Sequence, residues 1–137
     1  MMGYAQITIA GAEGHFIRRL REALGVTAFG VNALVLPPGT EWLEHYHERQ
    51  DELYFVHAGR AGFRVGGDEL ELGPGAMLHV ESTTPRQVWN AGEDELVLLM
   101  IGGKEGYVGR DGQLVNPDEQ DRRQRAADGD LEAIRRR

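Results

Sequence analysis

Apolar and polar positions alternate in short runs through most of this chain, and turn-forming residues separate the runs. The period-two pattern predicts strands over Val26–Leu36, Trp42–His47, Glu52–Ala58, Ala61–Val65, Glu69–Leu72, Ala76–Val80, Gln87–Asn90 and Glu95–Ile101. Their junctions carry turn chemistry: Pro37-Pro38-Gly39, Gly66-Gly67-Asp68, Gly73-Pro74-Gly75 and Ala91-Gly92. Many short strands joined by glycine-rich turns predict an all-β sandwich or barrel.

The two ends of the chain read differently. Phe16, Ile17, Leu20 and Leu24 fall at helical spacing, with Arg18, Arg19, Arg21 and Glu22 elsewhere, which predicts a short amphipathic helix over Gly14–Leu24 packed on the barrel. Tyr107–Leu114, turning at Asp111-Gly112, reads as a late hairpin. Residues 117–137 hold six acidic and six basic side chains and no aromatic one, so they read as a charged helical or flexible tail. Its removal is expected to leave the barrel folded. The chain thus divides into an N-terminal strand/helix element packed on the barrel (1–24), a barrel (25–116) and a tail (117–137).

Composition narrows the chemistry. At 137 residues and 41% apolar content the chain has the size and material of one domain core. The net charge of −7 opposes phosphate backbones and anionic lipid, so neither nucleic acid nor membrane is an expected partner. Cysteine is absent, which removes disulfides, thiolate nucleophiles and thiolate metal sites together. Any metal site must use His and carboxylate. No apolar run approaches the roughly 20 residues of a membrane helix, and no basic segment precedes the first apolar stretch, so the expected location is cytoplasmic.

Three residues have spacing that fits a metal site. His45 and His47 are two apart on a strand, so both imidazoles leave one face. After the turn at Arg49-Gln50-Asp51 the chain re-enters a strand at Glu52, whose carboxylate can return to that face. Two imidazoles and a carboxylate suit Fe(II), Mn(II), Ni(II) or Zn(II). The plainer alternative is a wet cluster of surface histidines.

The run Gly39-x5-His45-x-His47-x4-Glu52-x6-Gly59 resembles, without a gap, the first sequence motif of the cupin superfamily. A second cupin motif, Gly-x5-Pro-x-Gly-x2-His-x3-Asn, is met only at its ends by Gly75-x5-Glu81-x-Thr83-x2-Arg86-x3-Asn90. The resemblance spans about residues 25–102 and implies a double-sheet β-barrel of jelly-roll type. It further implies that His45, His47 and Glu52 are ligands of one divalent metal ion, with Arg86 standing where the family has a fourth ligand. A guanidinium cannot ligate and repels a nearby cation. Either Arg86 swings away and leaves a three-ligand site, or it pairs with Glu52 and the barrel binds something else.

Strand parity groups Tyr54 and Val56 with Glu52, and Val88 and Asn90 with Arg86, as cavity-lining residues. His57 has the opposite parity, His79 lies between the motifs, and His15 stands apart from any cluster. Trp42 and Trp89 read as packing between sheets or at a subunit contact. No catalytic residue is assigned. The functions left open are a metal-dependent oxidation, isomerisation or decarboxylation of a small polar or anionic metabolite, a metal-free binding or sensory module with Arg86 as its anion handle, and a structural dimer with a degenerate site. A homodimer is expected because barrels of this kind commonly cover a sheet edge with a partner.

Overall fold

All eight strand runs form strands in a computed structural model that describes residues 3–137. The elements are β1 (Glu13–Gly14), β2 (Ile17–Arg19), α1 (Arg21–Leu24), β3 (Gly30–Leu36), β4 (His45–His47), β5 (Asp51–Ala58), β6 (Ala61–Val65), β7 (Asp68–Leu72), β8 (Met77–Val80), β9 (Arg86–Asn90), β10 (Leu96–Gly103), β11 (Gly112–Leu114) and α2 (Gln120–Ala127). Single 3₁₀ turns at Pro117–Glu119 and Leu131–Ile134 flank α2. The protein is mostly β, with strand orders β1-β2-β3-β10-β5-β8 in one antiparallel sheet and β11-β4-β9-β6-β7 in the other.

Alternation decides which side chains meet between the sheets. On β5, Glu52, Tyr54 and Val56 are buried while His57 is exposed. The core joins Leu34, Leu36, Val56, Leu96 and Leu98 of the first sheet to Phe63 and Val88 of the second, with Leu43 just ahead of β4. Tyr54 and Phe63 meet edge to face, their ring centroids 5.0 Å apart. Gly59 ends β5 at φ +84°, where a Cβ would stand 2.6 Å from the carbonyl oxygen of Glu95, so this turn requires glycine.

Two expectations are corrected, and a third gains a buried face. The helix over Gly14–Leu24 shrinks to the four residues of α1, because Ile17–Arg19 instead pairs with β3, with Ile17 opposite Leu34. The late hairpin does not form: Gly112–Leu114 pairs with β4, placing Gly112 opposite His47. The final segment is helical and charged, yet Ala126, Ala133 and Ile134 are buried in the main core. Three small or branched apolar residues reach it because the chain folds back over the 39–41 region, where Glu41 N–H donates to the Ile134 carbonyl at 2.7 Å and Arg136 N–H to the Gly39 carbonyl at 2.8 Å.

Candidate metal centre

The second sheet supplies the histidines and the first supplies the carboxylate. β4 lies between β9 and β11, so His45 stands opposite Arg86 on one side and His47 opposite Gly112 on the other. Candidate ligand atoms of His45, His47 and Glu52 lie within 4.8 Å of one another, an arrangement that could hold a metal ion. The spacing read from the sequence therefore brings these three side chains together.

Both rings are held by their Nδ1 atoms. His45 Nδ1 lies 3.0 Å from the Leu43 carbonyl, which can only accept, so it carries the proton. His47 Nδ1 lies 2.8 Å from Asp111 Oδ1. Both Nε2 atoms are consequently turned toward Glu52 Oε1, at 3.9 Å for His45 and 3.0 Å for His47. The shorter contact lacks hydrogen-bond alignment, and His47 Nε2 is a buried nitrogen without a hydrogen-bond partner. Two oriented nitrogen lone pairs and one carboxylate, with the outer ring nitrogens anchored, fit a divalent cation.

Glu52 is buried and crowded. Tyr54 donates its hydroxyl to Oε1 at 2.7 Å, and Arg86 Nη1 approaches the same oxygen at 3.5 Å. Burial pushes the Glu52 carboxyl upward, but the adjacent His45 and His47 rings outweigh it and hold the group well below the usual carboxylate range. Burial likewise opposes charging of His47, whereas the adjacent Glu52 carboxylate and Asp111 raise it above 6.5. The Tyr54 phenol is driven well upward by burial and by the Glu52 charge, so it remains a donor.

A raised histidine adds stability below its unfolded pKa and loses that stability as pH rises through the folded value. Metal-free protein is therefore expected to lose thermal stability above pH 6.5, and His47→Gln is expected to flatten that decline. Parallel melting curves of both proteins at several pH values check this; equal slopes would remove the His47–Glu52 ion pair as its cause.

Arg86 is only 1% exposed. Its Nη2 donates to the carbonyls of Glu81 at 2.9 Å and Ser82 at 3.4 Å, while Nε has no partner. The guanidinium is thus anchored chiefly on backbone oxygens, with a longer reach toward Glu52. Val56 and Val88 belong to the apolar core. Asn90 is buried, but its amide is taken up by the Leu36 and Asp94 carbonyls and the Gly92 N–H, so it clamps a turn and has no polar atom free for a ligand. His15, His57 and His79 are exposed. Trp42 packs edge-on against Phe16, and Trp89 is covered by the Arg136 guanidinium.

The sequence reading missed Asp111, which it assigned to a turn. Its carboxylate also accepts from the backbone N–H groups of Arg49 and Gln50 and from the Gln50 side chain. Burial raises the Asp111 carboxyl, but the Gln50, His47 and Arg49 hydrogen bonds overcome this and lower it to about 2. Asp111 lies 64 residues from His47, so local spacing holds no signal for this contact.

Two antiparallel sheets that bring together a His-His-Glu group define a β protein in which that group could hold a metal ion. The family model for the cupin domain matches residues 33–102, more than half of the chain, and the protein belongs to the cupin family. Its fold is similar to that of a cupin protein from Bacteroides fragilis, at 25% identity and a TM-score of 0.63, with 85% of this chain and 100% of that one covered. An uncharacterised protein of Methanocaldococcus jannaschii is 26% identical over 65 residues, 47% of this chain and 52% of the relative. Quercetin 2,3-dioxygenase of Bacillus subtilis is 35% identical over 48 residues, 35% of this chain and 14% of that enzyme. The chain thus spans about half of the first of these two relatives and a small part of the second. Among the described residues no helix is long and apolar enough to cross a membrane.

Proposed function

We propose that this cupin binds one divalent metal ion through His45, His47 and Glu52 and acts there on a small polar or anionic metabolite. The observation that carries the reading is the pair of anchored Nδ1 atoms, which leaves both Nε2 atoms facing one carboxylate. The two sheets then act as the halves of a jelly-roll barrel whose interior shields the site. A bound divalent ion would supply Lewis-acid or oxidative chemistry. This chain's own groups hold the ligands in place: Tyr54 donates to Glu52, and Asp111 and Leu43 fix the rings. Arg86 adds a fixed positive charge beside the carboxylate, which favours an anionic metabolite. The partial likeness to quercetin 2,3-dioxygenase supports oxidation as one candidate reaction beside isomerisation and decarboxylation.

Elemental analysis of tag-free protein, as purified and after incubation with Fe(II), Mn(II), Ni(II) or Zn(II), tests the assignment. About one ion per chain is expected with at least one of these metals. Protein that remains metal-free with all four overturns it. The metal-free alternative rests on the Arg86–Glu52 contact at 3.5 Å, which meets the carboxylate's charge without a metal and makes Arg86 the handle for an anionic ligand.

Arg86→His separates these readings. The change removes a repelling charge and supplies a donor, so metal affinity is expected to rise about ten- to hundredfold, the equivalent of roughly 1.5–3 kcal/mol for one charge-assisted contact. Affinity for small organic acids is expected to fall in the same protein. Paired titrations of wild type and variant measure both. Unchanged metal affinity would show that the Arg86 charge does not act on the site.

We also propose a homodimer. β8 ends its sheet and leaves Met77 63% exposed, a poor edge for an isolated chain. Light scattering is expected to give twice the 15.2 kDa chain mass, and a monomer mass at micromolar concentration overturns the proposal.

A further inference from the structure

The Asp111 carboxylate joins the two pieces of backbone that must be aligned for the metal site to exist. Oδ1 lies 2.8 Å from His47 Nδ1 and 2.6 Å from Gln50 Nε2. Oδ2 accepts the N–H groups of Arg49 at 2.8 Å and Gln50 at 2.9 Å. Residues 48–50 connect β4, which carries the histidines, to β5, which carries Glu52. One side chain therefore controls both the ring of a candidate ligand and the turn that sets its separation from another. Its backbone carbonyl also accepts from Glu48 N–H at 3.2 Å, and the adjoining Gly112 stands opposite His47 in the β4–β11 pair.

The chemistry at His47 makes this more than a brace. A carboxylate can only accept, so the neutral imidazole beside it must carry its proton on Nδ1. The Nε2 lone pair is then exposed on the Glu52 side, the only ring state that can ligate there. Without the carboxylate, Nε2 could take the proton and donate it to Glu52, and the ring would cease to be a ligand. Asp111 thus selects the binding-competent tautomer and aims it.

We infer that Asp111 is the positioning residue of the candidate metal site, fixing the tautomer and orientation of His47 and tying metal binding to the docking of β11 against β4. The inference rests on the metal-site reading above for its functional consequence, while its structural half concerns the metal-free protein alone.

Three variants and two measurements test it. Asp111→Ala removes every side-chain contact; Asp111→Asn keeps the shape but cannot present two acceptor oxygens; Lys104→Ala breaks the ion pair to Asp51, the first residue of β5, without touching His47. Zn(II) titration against a competing chelator is expected to show a loss of about 10–100-fold for Asp111→Ala, as is typical of an outer partner of a ligating histidine. Asp111→Asn is expected to lose less, and Lys104→Ala to match wild type.

The second measurement is the ¹⁵N spectrum of the imidazoles in metal-free protein, taken at a pH where His47 is neutral. Wild type and Lys104→Ala are expected to show the Nδ1–H tautomer at His47. Asp111→Ala is expected to shift toward Nε2–H, and if it folds poorly Asp111→Leu, which has similar bulk and no acceptor, supplies the comparison. Retention of the wild-type tautomer and affinity without the carboxylate overturns the inference. Should wild type bind no Zn(II), the tautomer comparison still decides what Asp111 does, and it is the metal reading that fails.

Discussion

Replacing either His45 or His47 by alanine is expected to remove essentially all bound divalent metal. The site offers three ligand side chains, and the fourth position of the family motif is a buried guanidinium that cannot contribute an electron pair. Losing one imidazole leaves one nitrogen and one carboxylate, too few donors to compensate for dehydrating the ion. The loss should exceed the roughly 10–100-fold that follows removal of an outer hydrogen-bond partner. His47→Ala has the further effect of leaving Asp111 without its ring contact and Glu52 without its nearest nitrogen. His57→Ala and His79→Ala serve as controls, since both side chains are exposed and neither belongs to the cluster. Equilibrium dialysis against the metal found in wild type measures the effect. Stoichiometric metal in both alanine variants would sink the assignment.

Much of this site was legible because strand parity is a local rule. His45 and His47 share a face by being two apart, and Glu52, Tyr54 and Val56 share one on β5, so the positions that meet between the sheets follow from counting. Asp111 could not be found that way. Its bond to His47 depends on β11 pairing with β4, a register that local alternation does not encode. The partners of Arg86 were hidden for a related reason, since two of its acceptors are main-chain carbonyls with no side-chain signature.

The misread N-terminus shows a different failure. Phe16, Ile17, Leu20 and Leu24 satisfy a helical period, but four apolar residues in so short a stretch also suit a strand followed by a turn of helix. Two backbone facts decide between them. Gly14 sits at φ +118° with the Ile17 carbonyl packed where a Cβ would be, which bends the chain into a hairpin. Val35 N–H then donates to the Phe16 carbonyl at 2.7 Å, so the segment gains its hydrogen bonds from β3 instead of from itself.

Deleting residues 117–137 is expected to cost the protein its cooperative melt, contrary to what composition alone implies. The segment is poor in apolar residues, but position outweighs number: Ile134 and Ala126 are fully buried and Ala133 is 4% exposed, all in the cluster that contains Leu34, Leu43 and Leu96. Removing one such isoleucine side chain costs about 2–5 kcal/mol, against a total of roughly 5–15 kcal/mol for a domain. Deletion also takes away the two backbone bonds to Gly39 and Glu41, the Arg122 contact to Glu41, and the Arg136 cover over Trp89. Ile134→Ala in the full chain isolates the packing contribution and should lower the melting temperature by roughly 10 °C. Leu131→Ser, at a residue 42% exposed, should change it little. The effect should reach the candidate metal centre too, because Glu41 and Leu43 lead directly into β4 and the Leu43 carbonyl anchors the His45 ring. Thermal unfolding followed by circular dichroism, with metal titration on the same samples, measures both consequences. A deletion variant that melts cooperatively within a few degrees of the full chain would show that the buried face of this segment is dispensable.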